Sequence, residues 1–134
     1  MNNPIKKLGE AELEIMQVIW AAGKPVSASY ILKELQGKRR WQLSTLMTSL
    51  SRLADKEFVS LSREMGGNLY EAIVCENDFK VREGTSFLKR LYNNSVKNLI
   101  ATLYSNQVLK DADVEELKHF LNELEKNQTP GGEA

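Results

Sequence analysis

Apolar positions recur at helical spacing three times in the first half of the chain, then alternate, then return to helical spacing. The first helix is expected to start after Gly9, with Leu8 and Leu13 as a hydrophobic staple and Glu12 reaching back to the cap. Ala11, Ile15, Val18, Ile19 and Ala22 form its stripe, widened by Leu13, Met16 and Trp20, and "AAGKP" stops it. The second helix repeats this grammar. Val26 and Ile31 are the staple, Ser27 is the cap, Ile31, Leu32 and Leu35 turn inward, and Gly37 ends it. The third lies in "KRRWQLSTLMTSLSRL", residues 38–53, a basic triplet followed by a helix, with Leu43, Leu46, Leu50, Leu53 and Ala54 expected on its buried side.

Beyond that helix the period changes. "FVSLSREMGGNLYEAIV" alternates at Val59 and Leu61 and again at Leu69 and Ile73, around Met65-Gly66-Gly67-Asn68, which predicts a β-hairpin. Two strands alone are marginal in water, so the hairpin must pack on the helices. From about residue 77 the pattern is helical again. Phe79, Phe87, Leu88, Leu91 and Tyr92 predict one helix, interrupted or slowed at Gly84 and ending at Asn93-Asn94. Val96, Leu99, Ile100, Leu103 and Tyr104 predict a second. Asp111 or Asp113 can cap a third, whose Val114, Leu117, Leu121 and Leu124 follow heptad spacing. Three short helices with this much apolar face call for a second copy of the chain, most simply across a two-fold axis. The expected fold is mainly α with a small β-hairpin: an N-terminal winged helix-turn-helix over residues 1–74 and a C-terminal helical dimerisation region over residues 75–134.

The polar side of the third helix is unusual. It carries Ser44, Thr45, Thr48, Ser49 and Ser51, and Arg52 is its one charge before Asp55. Surface helices ordinarily carry Glu and Lys, which are better helix formers. Short hydroxyls behind a basic turn suit a helix that enters the major groove. Acids would meet phosphate repulsion there, and long side chains would hold the backbone away. Lys38, Arg39 and Arg40 in the preceding turn would reach phosphates. Arg52 would meet phosphate or a guanine edge, and Arg63 near the hairpin tip would track the neighbouring backbone or minor groove. Met47 either touches bases or fills a partly buried gap. Trp41 is expected to close the turn onto the core.

Charge sharpens this picture. The chain of 134 residues has a formal net charge of zero, which hides a local asymmetry. Residues 33–63 hold seven Lys/Arg against three Asp/Glu, a surplus of four. Local charge is what a phosphate backbone feels. No apolar run has the length of a membrane helix, no signal-peptide pattern is present, and the single Cys75 cannot form an internal disulfide, so a cytoplasmic protein without membrane insertion is expected. One His (His119) and one Cys without a placed acid argue against an enzyme. Without CxxC pairs or His/carboxylate clusters, no metal or cofactor is expected. Gly66-Gly67 belongs to a turn, not to a phosphate loop.

The residues "LGEAELEIMQVIW", "VSASYILKEL", "WQLSTLMTSLSRLADKEFV", "LYEAIV" and "SFLKRLYNNSVKNLIATL" together resemble the penicillinase-repressor family, which includes BlaI, MecI and the related copper repressor CopY. The resemblance runs over roughly residues 8–125. It implies a homodimeric winged-helix repressor that binds palindromic double-stranded operator DNA with TACA and TGTA half-sites. Thr45, Thr48 and Arg52 match the family's recognition-helix positions, and Leu46, Leu50 and Leu53 match its core. Family members often begin this helix with Ser-Pro-Lys-Thr, where this chain has Gln42-Leu43-Ser44-Thr45. Drug-resistance members are inactivated by cleavage at an Asn-Phe bond, in a system with a membrane sensor protease. Thr102-Leu103 occupies the matching position. The Cys-rich copper hook of other members has no counterpart.

The functional expectation is therefore a dimeric bacterial repressor. DNA contacts fall to Arg39, Arg40, Ser44, Thr45, Thr48, Arg52 and Arg63. Dimerisation falls to Leu88, Leu91, Leu99, Leu103, Val114, Leu117, Leu121 and Leu124. The alternative is a winged-helix module for protein–protein assembly, without sequence-specific DNA binding.

Overall fold

A computed structural model describes residues 6–37, 40–64 and 66–128. The elements run α1 (Glu10–Ala22), β1 (Val26–Ser27), α2 (Ala28–Leu35), α3 (Leu43–Asp55), β2 (Val59–Glu64), β3 (Gly67–Ala72), α4 (Glu76–Tyr92), α5 (Val96–Ser105) and α6 (Asp111–Gln128). Contacts divide the chain into two compact units between Glu83 and Gly84, within α4. The first unit extends past the expected boundary at residue 74 because Phe79, on the first turn of α4, is buried with its core. Its ring lies 5.7 Å from Trp20 and 5.9 Å, edge-on, from Phe58.

Local chemistry sets the helix ends in the first unit. The Gly9 amide donates to Glu12 Oε1 at 2.8 Å, and the Leu13 amide donates to the Gly9 carbonyl at 2.9 Å. Gly23 closes α1 in the left-handed region (φ 67°), where a residue without Cβ is unstrained. Ser27 caps α2 by accepting from the Tyr30 amide at 3.1 Å. Ile15, Met16, Ile19, Ile31, Leu35, Leu46, Leu50, Leu53, Phe58 and Val59 then meet as one buried cluster between the three helices and the sheet.

The sheet has three antiparallel strands in the order β1-β3-β2. Strand β1 is an addition to the expected hairpin. Val26 pairs with Tyr70 and Ser27 with Leu69, a pairing too short to show any period in sequence. The hairpin is also tighter than expected, since Glu64 pairs with Gly67 and Gly66 takes the positive φ (83°).

Two expectations for α3 are corrected. Leu43 is not core but 55% exposed, whereas Ser49 is buried at 6%. Helical Cα–Cβ bonds tilt toward the N-terminus, so the side chain of the first helical residue projects past the end of the packed arc. That arc consists of Leu46, Ser49, Leu50 and Leu53.

The second unit comprises the rest of α4 with α5 and α6. Contrary to expectation, α4 runs through Gly84 without interruption. It ends as expected, with Asn93 and Asn94 at φ 49° and 66° and the Asn94 amide donating to Leu88 O at 3.1 Å. Ser95 caps α5 through the Asn98 amide, 3.0 Å, and the Asp113 carboxylate accepts from the Lys110 amide at 2.9 Å to begin α6. Among the described residues no apolar side chain of this unit is buried.

Candidate nucleic-acid interface

Helix α3 is held from behind and open in front. Its buried arc is locked into the core, while Ser44, Thr45, Thr48, Ser51 and Arg52 are exposed. No carboxylate occurs on it until Asp55. At 100° per residue, Ser44, Thr48 and Ser51 form the centre of the outward face, with Thr45 and Arg52 on one flank and Leu43 and Met47 on the other. Thr48 Oγ1 donates to the Ser44 carbonyl at 3.0 Å, so its proton is committed to the helix backbone.

Two contacts fix how this helix is presented. Trp41, just before it, is buried and donates through Nε1 to Glu14 Oε1 at 3.1 Å, so the indole closes the turn onto the core as expected. At the other end, Lys56 Nζ lies 2.7 Å from Glu12 Oε1 and 3.0 Å from the Lys7 carbonyl. Burial alone would raise the Glu12 pKa. The Lys56 ammonium and the Gly9 amide outweigh that effect and hold the carboxyl below its ordinary value of 4.5. Lys56 is thus a structural cation, which removes one charge from the basic surplus over residues 33–63. Nothing in the sequence distinguishes it from the other lysines, because its partner lies 44 positions away.

Of the other expected contacts, Arg40 is exposed before α3, and Arg63 is exposed on β2 directly opposite Asn68 on β3. Arg39 and Lys38 lie outside the described residues. Arg40, Ser44, Thr45, Thr48, Arg52 and Arg63 all belong to the first unit and all face solvent.

In the second unit Leu91, Leu121 and Leu124 are exposed at 60%, 51% and 41%, and Leu88, Leu99, Leu103, Val114 and Leu117 are half-buried. Thr102 is exposed on α5, where its hydroxyl donates to Asn98 O at 2.9 Å. Its own carbonyl accepts from Asn106 Nδ2 at 2.9 Å. No helix among the described residues is long and apolar enough to cross a membrane.

The family model described as "Penicillinase repressor" matches residues 8–123. The chain belongs to the penicillinase-repressor family. The penicillinase repressor of Staphylococcus aureus is 30% identical over 126 residues, 94% of this chain and 99% of that protein. The methicillin resistance regulatory protein MecI of Mammaliicoccus sciuri is 30% identical over 122 residues, 91% of this chain and 98% of that one. Among solved structures, the DNA-binding domain of the repressor BlaI matches with 30% identity and a TM-score of 0.50. The match covers 57% of this chain and 93% of that domain. A penicillinase repressor is a regulator and not an enzyme, and the first unit of this member has the winged-helix fold of the BlaI domain.

Proposed function

We propose that this family member is a homodimeric transcriptional repressor that binds a palindromic operator, with α3 of each protomer in the major groove. The observation that carries the reading is the outward face of α3, with hydroxyls and Arg52 and without an acid until its last residue. Two half-sites about one helical turn apart, or a multiple of it, would match a two-fold dimer. The DNA-binding region, expected over residues 1–74, carries the start of α4 with it as part of its compact unit, and the dimerisation role falls to the rest of residues 75–134, whose exposed leucines a second copy would cover. The relatedness to a repressor whose DNA-binding domain shares this fold supports the same reading.

Relief of repression would come from proteolysis at Thr102-Leu103, through a membrane sensor protease, or from another signal. The peptide concerned lies in a well-bonded turn. Asn106 holds the Thr102 carbonyl, and the Val108 and Leu109 amides donate to Leu103 O at 2.9 and 3.0 Å. A protease binding an extended substrate has to unwind the end of α5 first.

The test is an anisotropy titration of the full chain into a TACA…TGTA duplex and a scrambled duplex at two salt concentrations. The expected result is preference for the palindrome at the higher salt. With ~6–10 phosphates neutralised per dimer, affinity should fall roughly 10³–10⁵-fold between 50 and 200 mM salt. Arg52→Ala should weaken binding by about 1–3 kcal/mol and relax discrimination if Arg52 reads a base edge. Absence of binding at either salt would favour the protein-assembly reading.

A further inference from the structure

The leucine expected in the core of α3 is instead in solvent, and it has an apolar neighbour there. Leu43 is 55% exposed and Met47, one turn on, is 39% exposed. Positions i and i+4 of a helix lie on one face, so the two side chains form a short apolar edge. It borders the hydroxyl row of Ser44, Thr48 and Ser51, on the side opposite Thr45 and Arg52. Both residues lie in the first half of α3, the part that reaches base edges when such a helix enters the groove.

The major groove offers such an edge one kind of apolar group. Apart from small C–H edges such as cytosine C5–H, the groups exposed there are donors and acceptors, and only thymine presents a methyl, at C5. Over a G·C pair, Leu43 and Met47 would strip water from polar atoms without replacing their hydrogen bonds, an unfavourable exchange. Over thymine the same side chains bury a methyl. Met47 adds adaptability, because its unbranched thioether fits irregular contacts. Thr48 points the same way, since its hydroxyl proton is already bonded to Ser44 O and is not free to donate to a base. The absence of acids on this face before its last residue, Asp55, and the flanking Arg40 and Arg52 favour DNA over an apolar protein surface as the occupant.

We infer that Leu43 and Met47 are specificity-determining residues that read thymine C5-methyl groups in each operator half-site. This rests on the DNA-binding reading above and goes beyond it by naming the base feature and the side chains. Selectivity at these positions is apolar, so it persists at salt concentrations that weaken the phosphate contacts.

The test uses the full chain and leaves the protein untouched in its first arm. Binding sites are selected from a randomised duplex pool, and each thymine of the selected half-site is then replaced by deoxyuridine, which removes only the methyl. The expected result is a roughly fourfold loss of affinity at one or more thymines, the effect of one methyl-sized burial. That loss should disappear in the Leu43→Ala/Met47→Ala variant, whose fold is checked by circular dichroism. Full affinity for every deoxyuridine duplex would overturn the inference and leave the DNA reading standing. A loss that persists undiminished in the variant would assign the methyl to other residues and overturn it equally. Failure to enrich any duplex would remove the DNA reading and this inference with it.

Discussion

The two compact units solve the same problem in opposite ways. The first buries fourteen apolar side chains, Phe79 of α4 among them, and closes its core without help. The second buries none among its described residues and leaves Phe87, Leu91, Val96, Tyr104, Val108, Phe120, Leu121 and Leu124 well exposed. A fully buried Leu or Ile contributes about 1.5–3 kcal/mol, a source of stability that the first unit has many times over and the second has only in part-buried form. Exposed apolar side chains in this number are what the proposed second copy would cover. The contrast separates a unit with its own buried core from one whose apolar side chains are at most half-buried, the surface that the proposed dimer would cover.

The largest expected effect would break the first half of the contrast. Leu50→Ala, at a side chain only 1% exposed, should destabilise the first unit by about 2–5 kcal/mol in urea denaturation. Leu121, at 51% exposure, should cost far less per molecule but should make its effect visible in association. Unfolding of the second unit should depend on protein concentration, by about 1.4 kcal/mol in apparent stability per tenfold dilution. Leu121→Glu with Leu124→Glu should give a monomer in sedimentation while leaving the first unit folded. A concentration-independent transition with the wild-type chain would end the partner-dependent account.

A smaller effect sharpens the picture of the first unit. The Glu12 carboxyl has a folded pKa below its ordinary value of 4.5. Its contribution is therefore present above about that pH and is lost as the pH falls through the folded value. Glu12→Gln should lower stability near neutrality by about 1–2 kcal/mol, between the exposed and buried limits for an ion pair. It should also flatten the acid limb of a pH titration of stability. Smallest of all, Glu57 sits at φ 65°, where a Cβ is strained, whereas Asn93 and Asn94 hold such angles with a side chain suited to them. Glu57→Gly should raise the melting temperature of the first unit by the equivalent of about 0.5–1 kcal/mol.

Legibility in the sequence followed the range of the interactions. The Gly9–Glu12 and Ser27–Tyr30 caps, the Asn93-Asn94 stop and the hairpin act over a few residues and leave direct marks. So did the hydroxyl face of α3, because a surface helix without Glu or Lys departs from ordinary propensity. What escaped notice was set by tertiary contact. Strand β1 exists only because β3 accepts it. Lys56 looks like any solvated lysine until α1 brings Glu12 to it. Leu43 continues the apolar spacing of α3 faithfully, yet the core ends one turn short of it. Gly84 reads as a helix breaker, but it costs a helix interior only about 1 kcal/mol, and its neighbours carry α4 through.

Both tryptophans, Trp20 and Trp41, lie in the first unit, the former donating through Nε1 to Val74 O at 2.9 Å and packing at a tilt against Phe79. Indole emission therefore watches one half of the molecule only. Far-ultraviolet ellipticity sums the helices of both halves, including α5 and α6, which carry no indole. The two optical signals, recorded on one unmodified sample, separate the melting of the winged helix from that of the C-terminal helices.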